Sequence, residues 1–398
     1  MRTSPCWGVD RDRPDPVDRL RRAALAPGEP VAMDELTIFA ELRRDLKRDF
    51  RDAEMSKAEA RYIVDVYYQL QDFRIQAASQ LRSEGNEPRR WAETLLRAFE
   101  LLERDVQSVL GAWARRTVPG RWAQSITGIG PVISAGLVAH IEIVTPPHTR
   151  LGRKVNGKPG AVEAIPERIT TTAGQIWRFA GLDPTARWEK GQVRPHNADL
   201  KVLCWKLGDS FVKQSGRDSD IYGHVYRARK ELEIARNDAL MFADQAAHAL
   251  ETRQIKDAGL RACYESGRLP DGRIDLRARR YAVKLFLAHF HHVAWWAQFG
   301  TEPEKPFIFT DRAKEMGLDG HNGFIGPPNW PMDDSPNGAR AATDVRTAPI
   351  ERHMSIMHAK AAKLVDRAQR RPKDNPRSRR RQRIEDNRSH SEHREEQE

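Results

Sequence analysis

At 398 residues the chain has room for two or three domains, each able to bury a core of its own, and its three cysteines, Cys6, Cys204 and Cys263, lie too far apart to read as a disulfide framework. Lys and Arg number 67 against 56 Asp and Glu, a formal charge of +11 with a pI near 9.7. That balance makes a polyanion the expected partner, because each cation that meets a phosphate releases a condensed counterion. No stretch reaches the roughly 20 apolar residues of a membrane span, which favours nucleic acid over a lipid surface.

Residues 1–32 alternate Arg, Asp and Pro with no apolar segment, the pattern of a disordered leader without a signal peptide. Residues 33–117 are predicted as a helical hairpin of coiled-coil character. Ser56 and Glu59 have capping-box spacing, followed by Ile63, Val66, Leu70, Phe73 and Ala77 at steps of three and four. Ser83 to Pro88 breaks the pattern, and a second seam runs through Leu95, Phe99, Leu102, Val106, Val109 and Trp113. Two ordinary bundle helices are the alternative, since about three heptads is near the minimum for a coiled coil.

Residues 118–215 carry the most informative segment. Trp122 to Ile126 predicts a short helix, Thr127-Gly128-Ile129-Gly130 a tight turn, and Pro131 the first residue of an apolar helix through Ile141. This is a helix-hairpin-helix. Glycines let the turn approach a ligand closely, the amides of Ile129 and Gly130 are expected to point outward, and the next helix adds the positive end of its dipole, an arrangement suited to phosphate rather than to base edges. Ile126, Ile129 and Val132 are expected beneath the turn, with Ala135, Gly136 and Ala139 allowing close helix packing. A plain glycine turn between core helices is the alternative.

The stretch from Pro146 to Ile169, with Arg150, Arg153, Lys154 and Lys158, reads as a long basic loop. Farther on, Arg187, Trp188 and Lys190 suit contact with a nucleic-acid backbone and stacking on a base or sugar. The DNA-contacting set is therefore Thr127, Gly128, Ile129, Gly130, Arg150, Arg153, Lys154, Arg187, Trp188 and Lys190.

Residues 216–299 are expected to form a C-terminal helical domain, and 300–398 a Pro/Gly-rich and then Arg-rich disordered tail. From Arg367 to Arg383 nine basic residues face one acid, Asp374. His289, His291 and His292 share one helix without an obvious third ligand or orienting carboxylate, which reads as core or surface histidine rather than a metal site. Arg277, Arg279, Arg280 and Lys284 on the same helix form a basic patch, either a second DNA-contacting face or a solvated one.

The hairpin around Gly128 and Gly130, followed by Trp177-Arg178-Phe179-Ala180-Gly181-Leu182-Asp183-Pro184 and a helix with Asn197, Leu200, Leu203 and Leu207, resembles the C-terminal domain of the IS110/IS116/IS902 family of bacterial insertion-sequence transposases. The resemblance covers roughly residues 90–215. It implies DNA binding in transposition or mobile-element recombination, near the nucleoid in the bacterial cytoplasm, with DNA as partner and RNA as a further candidate, while the seams of the helical hairpin suggest self-association through it. It also implies an N-terminal RNase-H-like domain whose carboxylates hold metal; Gly8-Val9-Asp10 is followed by no alternating β pattern, so Mg²⁺ enters only if a partner chain supplies that domain. The family places a nucleophilic Ser after the Ala-Gly-Leu-x-Pro segment. The comparable stretch, 185–191, has Thr185 as its only hydroxyl, which leaves catalysis open and the catalytic residues unassigned. Two other readings stay open: a structural, oligomerising protein, and an active recombinase completed by a partner.

Overall fold

In a computed structural model, the described residues are 41, 43, 44, 48, 55–83, 89–151, 162–169, 172–186, 188, 194–304, 315, 325–332 and 343–370. They are mainly helical. The leader 1–32, the end 371–398, and Arg153, Lys154, Arg187 and Lys190 lie outside them. The chain divides into two compact units, Met1–Ala114 and Arg115–Glu398.

The first unit holds helices α1 (Lys57–Ser83) and α2 (Arg89–Arg115). The capping box forms as its spacing predicts: Ser56 N donates to Glu59 Oε2 at 2.7 Å, and Glu59 N to Ser56 Oγ at 3.2 Å. The helices run antiparallel, since Trp113 Nε1 reaches Met55 O, Tyr67 meets Glu103, and Phe73 stacks on Phe99. The buried stripe is shifted from the expected seam. Ala60, Ile63, Val64 and Tyr67 of α1 and Val106, Leu110 and Ala114 of α2 are buried, whereas Phe73 and Leu95 are exposed. The reason is polar: Glu103, itself buried, accepts hydrogen bonds from Tyr67, Gln71 and Arg74, and these long side chains occupy positions that an apolar seam would fill. Burial and the Glu103 charge push the Tyr67 phenol up to about 12. Arg43 adds a two-pronged ion pair with buried Asp105.

The second unit contains α3 (Val118–Gln124), α4 (Pro131–His140), β1 (Val144–Thr145), β2 (His148–Leu151), β3 (Val162–Ile165), β4 (Arg168–Ile169), α5 (Ala173–Phe179), α6 (Ala198–Gln214), α7 (Tyr222–Asp238), α8 (Ala243–Thr252), α9 (Ala258–Glu265), α10 (Asp271–Phe299) and α11 (Thr343–Arg370). Helix α10 is its axis, touching α3, α5, α6 and α7, while α11 lies along α7. Buried rings from four helices meet at the centre. Trp122 stacks on Phe286 at 5.4 Å, Phe211 on Tyr222 at 5.0 Å, and Tyr222 meets Phe286 edge-on at 5.3 Å. Rings of this size dominate core energetics and favour such offset and edge contacts.

Phe211 and Tyr222, on either side of residues 215 and 216, share one aromatic cluster within the second compact unit. Two expectations differ from the folded chain. The basic loop contains a ribbon: β1 pairs antiparallel with β4 and β2 with β3, from His148 opposite Ile165 to Leu151 opposite Val162. Part of the segment beyond residue 300 is built into the fold. Ile325–Met332 docks through Trp122 Nε1 donating to Pro328 O at 2.7 Å, and α11 buries Ile350, His353 and Met357.

His289 is a core histidine. Its Nε2 lies 3.0 Å from Ile325 O, which can only accept, so Nε2 carries the proton and Nδ1 accepts from Tyr222 OH at 2.7 Å. Full burial pushes its pKa down to about 3, which keeps the ring neutral. Among the described residues no group of three or more His, Cys, Asp or Glu side chains is placed to hold a metal ion, and no helix is long and apolar enough to cross a membrane.

Candidate nucleic-acid interface

The hairpin begins with a capped short helix. Thr117 Oγ1 accepts from Gly120 N, Pro119 occupies the first turn, and Trp122 and Ala123 are buried. The turn then doubles back, with Ser125 N bonded to Arg121 O and Ile126 N to Ala123 O, and α4 starts at Pro131 with Gly130 as its N-cap. Ile126, Ile129 and Val132 are buried beneath it, as expected. Ala135, Gly136 and Ala139 bring α4 against α6 so closely that a Cβ on Gly136 would stand 2.7 Å from Leu203 Cδ2.

The two turn glycines differ in what they do. Gly128 has φ +90°, a conformation that L side chains rarely adopt, and a Cβ there would meet Gln214 Cγ at 3.1 Å and Ser210 Oγ at 3.3 Å. Its carbonyl accepts from Ser210 Oγ at 2.5 Å. Gly128 therefore serves the fold. Gly130 sits in extended backbone, φ −83° and ψ 176°, with nothing within 4 Å of where its Cβ would be. No side chain caps α4.

The amide of Ile129 requires a correction. It donates to Ile126 O at 3.0 Å, closing the turn internally, and the Ile129 side chain is buried. It is not an outward donor. The open donors belong to the α4 terminus: Pro131 has no N–H, and the first intrahelical bond is Ser134 N to Gly130 O, so the amides of Gly130, Val132 and Ile133 precede the helical ladder. They form no backbone bond within the described residues.

Polar groups ring this terminus. Thr127 Oγ1 donates to Ser219 Oγ at 3.3 Å, Gln124 Nε2 to Ser134 Oγ at 2.9 Å, and Asn329 Nδ2 to Ser125 O at 3.3 Å. No local pattern in the sequence marks Ser210, Gln214, Ser219 or Asn329, because they reach the turn from 82 to 204 residues away. Arg121, exposed on α3, donates to Arg115 O at 3.1 Å and supplies positive charge beside the turn.

The remaining site residues are only partly brought together. Arg150 lies in β2, paired with Glu163 across the ribbon. Trp188 is 47% exposed, with the Arg194 guanidinium 5.9 Å from its ring centre. Thr185 is engaged: its amide and hydroxyl both donate to Asp183 Oδ1, and those bonds hold the Asp183 carboxyl below its usual range. The Ala180-Gly181-Leu182 segment closes α5, Gly181 taking φ +67° while Leu182 N bonds back to Trp177 O at 2.8 Å. Asn197 caps α6 by accepting from Leu200 N at 2.8 Å, and its own amide donates to Phe179 O. The end of α5 and the start of α6 thus touch each other. No family model, no curated protein and no solved structure matches the chain.

Proposed function

We propose that this protein binds duplex DNA by its phosphate backbone, at the N-terminus of α4, as a relative of the IS110-type transposases acting in mobile-element recombination. The observation that carries the reading is the uncapped α4 terminus at Gly130, whose first-turn amides are taken up by no backbone acceptor among the described residues and where a Cβ on Gly130 would meet nothing within 4 Å. Such a terminus attracts anions through its free N–H groups and its dipole together. The net charge of +11 supplies long-range attraction that is indifferent to sequence. A grip of this kind positions a protein on DNA without reading it, and places it with the nucleoid. No catalytic step is assigned, since Thr185 is held by Asp183.

Fluorescence anisotropy with a labelled duplex over a salt series tests the reading. Affinity should fall steeply with salt and vary little between unrelated sequences. Binding that ignores salt, or that is lost for all but one sequence, would refute it.

A further inference from the structure

Helix α10 carries Arg273, Arg277, Arg280 and Lys284 at steps of four, three and four residues, which aligns them on one stripe about 16 Å long. The stripe runs through two adjoining clefts. One, of about 570 Å³, is walled by the Gly181–Pro184 turn, by α6 and by α10; the other, of about 480 Å³, opens between α8 and α10. Arg277 and Arg280 line both, so the two clefts adjoin along α10 as a groove in two parts.

Its charge is unbalanced. Lys201, Arg229, Arg277, Arg279, Arg280 and Lys284 line the first cleft, against Asp183 and Glu233. Glu233, fully buried, takes Arg229 and Arg277, and Arg279 pairs with Asp275 and Asp209. Lys201, Arg273, Arg280 and Lys284 make no ion pair with another described residue. Burial pushes the Arg280 guanidinium down, and the like charges of Arg273 and Arg277 push it further. Burial likewise lowers the Lys284 ammonium against the opposing attraction of Asp183, with the like charge of Arg280 adding to the lowering, and the ammonium lies 4.9 Å from the Trp177 ring centre. Cations crowded in this way repel one another, and an anionic ligand would relieve the repulsion. Trp205, also lining the cleft, keeps 58% of its surface exposed, a flat face available for stacking.

We propose that this groove binds a single-stranded polynucleotide, with phosphates on Lys201, Arg273, Arg280 and Lys284 and a base stacked on Trp205. Length favours a chain over a compact anion, and a row of cations beside an aromatic platform is how single strands are held without sequence preference. The groove is independent of the hairpin. Lys201, Trp205 and Gly208 face it, whereas Ser210 and Gln214 approach Gly128, and at 3.6 residues per turn these sets lie on opposite sides of α6, about 180° apart.

The full chain would be titrated by anisotropy with labelled oligothymidylate and oligouridylate of about 15 nucleotides, over a salt series. Replacing Arg273, Arg280 and Lys284 together by Gln should weaken binding at least about tenfold and lower the salt slope by about 2, the share of three phosphates on a single strand. Trp205→Ala should weaken it roughly tenfold, in line with the loss of one stacked base. Both variants should hold the duplex as the parent does. Equal losses with the two oligonucleotides assign the contacts to backbone and stacking, and a loss larger for oligouridylate assigns the ligand to RNA. Folded variants that bind single strands like the parent overturn the proposal, and so does an equal loss for duplex and single strand. Should the triple variant misfold, Trp205→Ala decides alone, because that side chain already faces solvent.

Discussion

Gly130→Asp separates stability from binding at the α4 terminus. Gly130 already has the extended backbone of an N-cap, and a Cβ there meets nothing within 4 Å, so an aspartate fits without strain. Its carboxylate would accept from the first-turn amides, the favoured capping arrangement, and its charge would complement the helix dipole. These effects stabilise by about 0.3–1 kcal/mol. The same carboxylate would occupy the place proposed for a phosphate and repel the strand. A hydrogen bond to a charged group contributes about 1.5–3 kcal/mol, so duplex affinity should fall roughly 10-fold to 150-fold. Thermal unfolding followed by circular dichroism and duplex anisotropy at one salt concentration read the two effects. A rise in stability with unchanged affinity would sink the reading, because the amides would then be capped while DNA went elsewhere.

Gly128→Ala should act oppositely, costing about 1–2 kcal/mol of stability from its positive φ, with crowding against Gln214 and Ser210 adding to the loss; a lowered melting temperature checks it. Glu233→Gln removes the carboxylate shared by Arg229, Arg236 and Arg277 and should destabilise by about 3–5 kcal/mol in denaturant titration, since it leaves mostly buried Arg229 uncompensated. Burial alone would raise the Glu233 carboxyl, but Arg229, Arg277 and Arg236 outweigh it and hold the pKa below 4.5. The stability from this carboxylate is therefore complete above pH 4.5 and is lost as the pH falls through its lowered folded value, which acid unfolding of the parent and the variant should show as a difference confined to that range. His289, lowered from 6.5 to about 3, gives a second acid-side loss: its contribution is whole above pH 6.5 and declines below it by up to about 1.4 kcal/mol per pH unit, measurable as a fall in unfolding free energy between pH 7 and pH 5.

Much of the local structure was legible because its causes lie within a few residues. The Ser56 and Glu59 capping box, the turn at Gly128 and Pro131 at the head of α4 each follow from hydrogen bonds and dihedral limits that a short segment satisfies alone. The hairpin seams were less legible. Heptad spacing marks apolar candidates, but Glu103 with Tyr67, Gln71 and Arg74 decides which positions are covered, and that choice is made between two helices. The same holds at the turn, where spacing left Ile129 N free and the folded backbone closed it on Ile126 O.

By itself, the sequence determined that the protein is helical and basic, and where its most informative turn lies. Tertiary structure alone decided that Trp122 would anchor Pro328, that α11 would pack along α7, and that four cations of α10 would share a groove with Trp205. Propensity and periodicity act over one or two turns of chain, whereas these arrangements join segments up to about 200 residues apart, whose meeting depends on the packing of the whole unit.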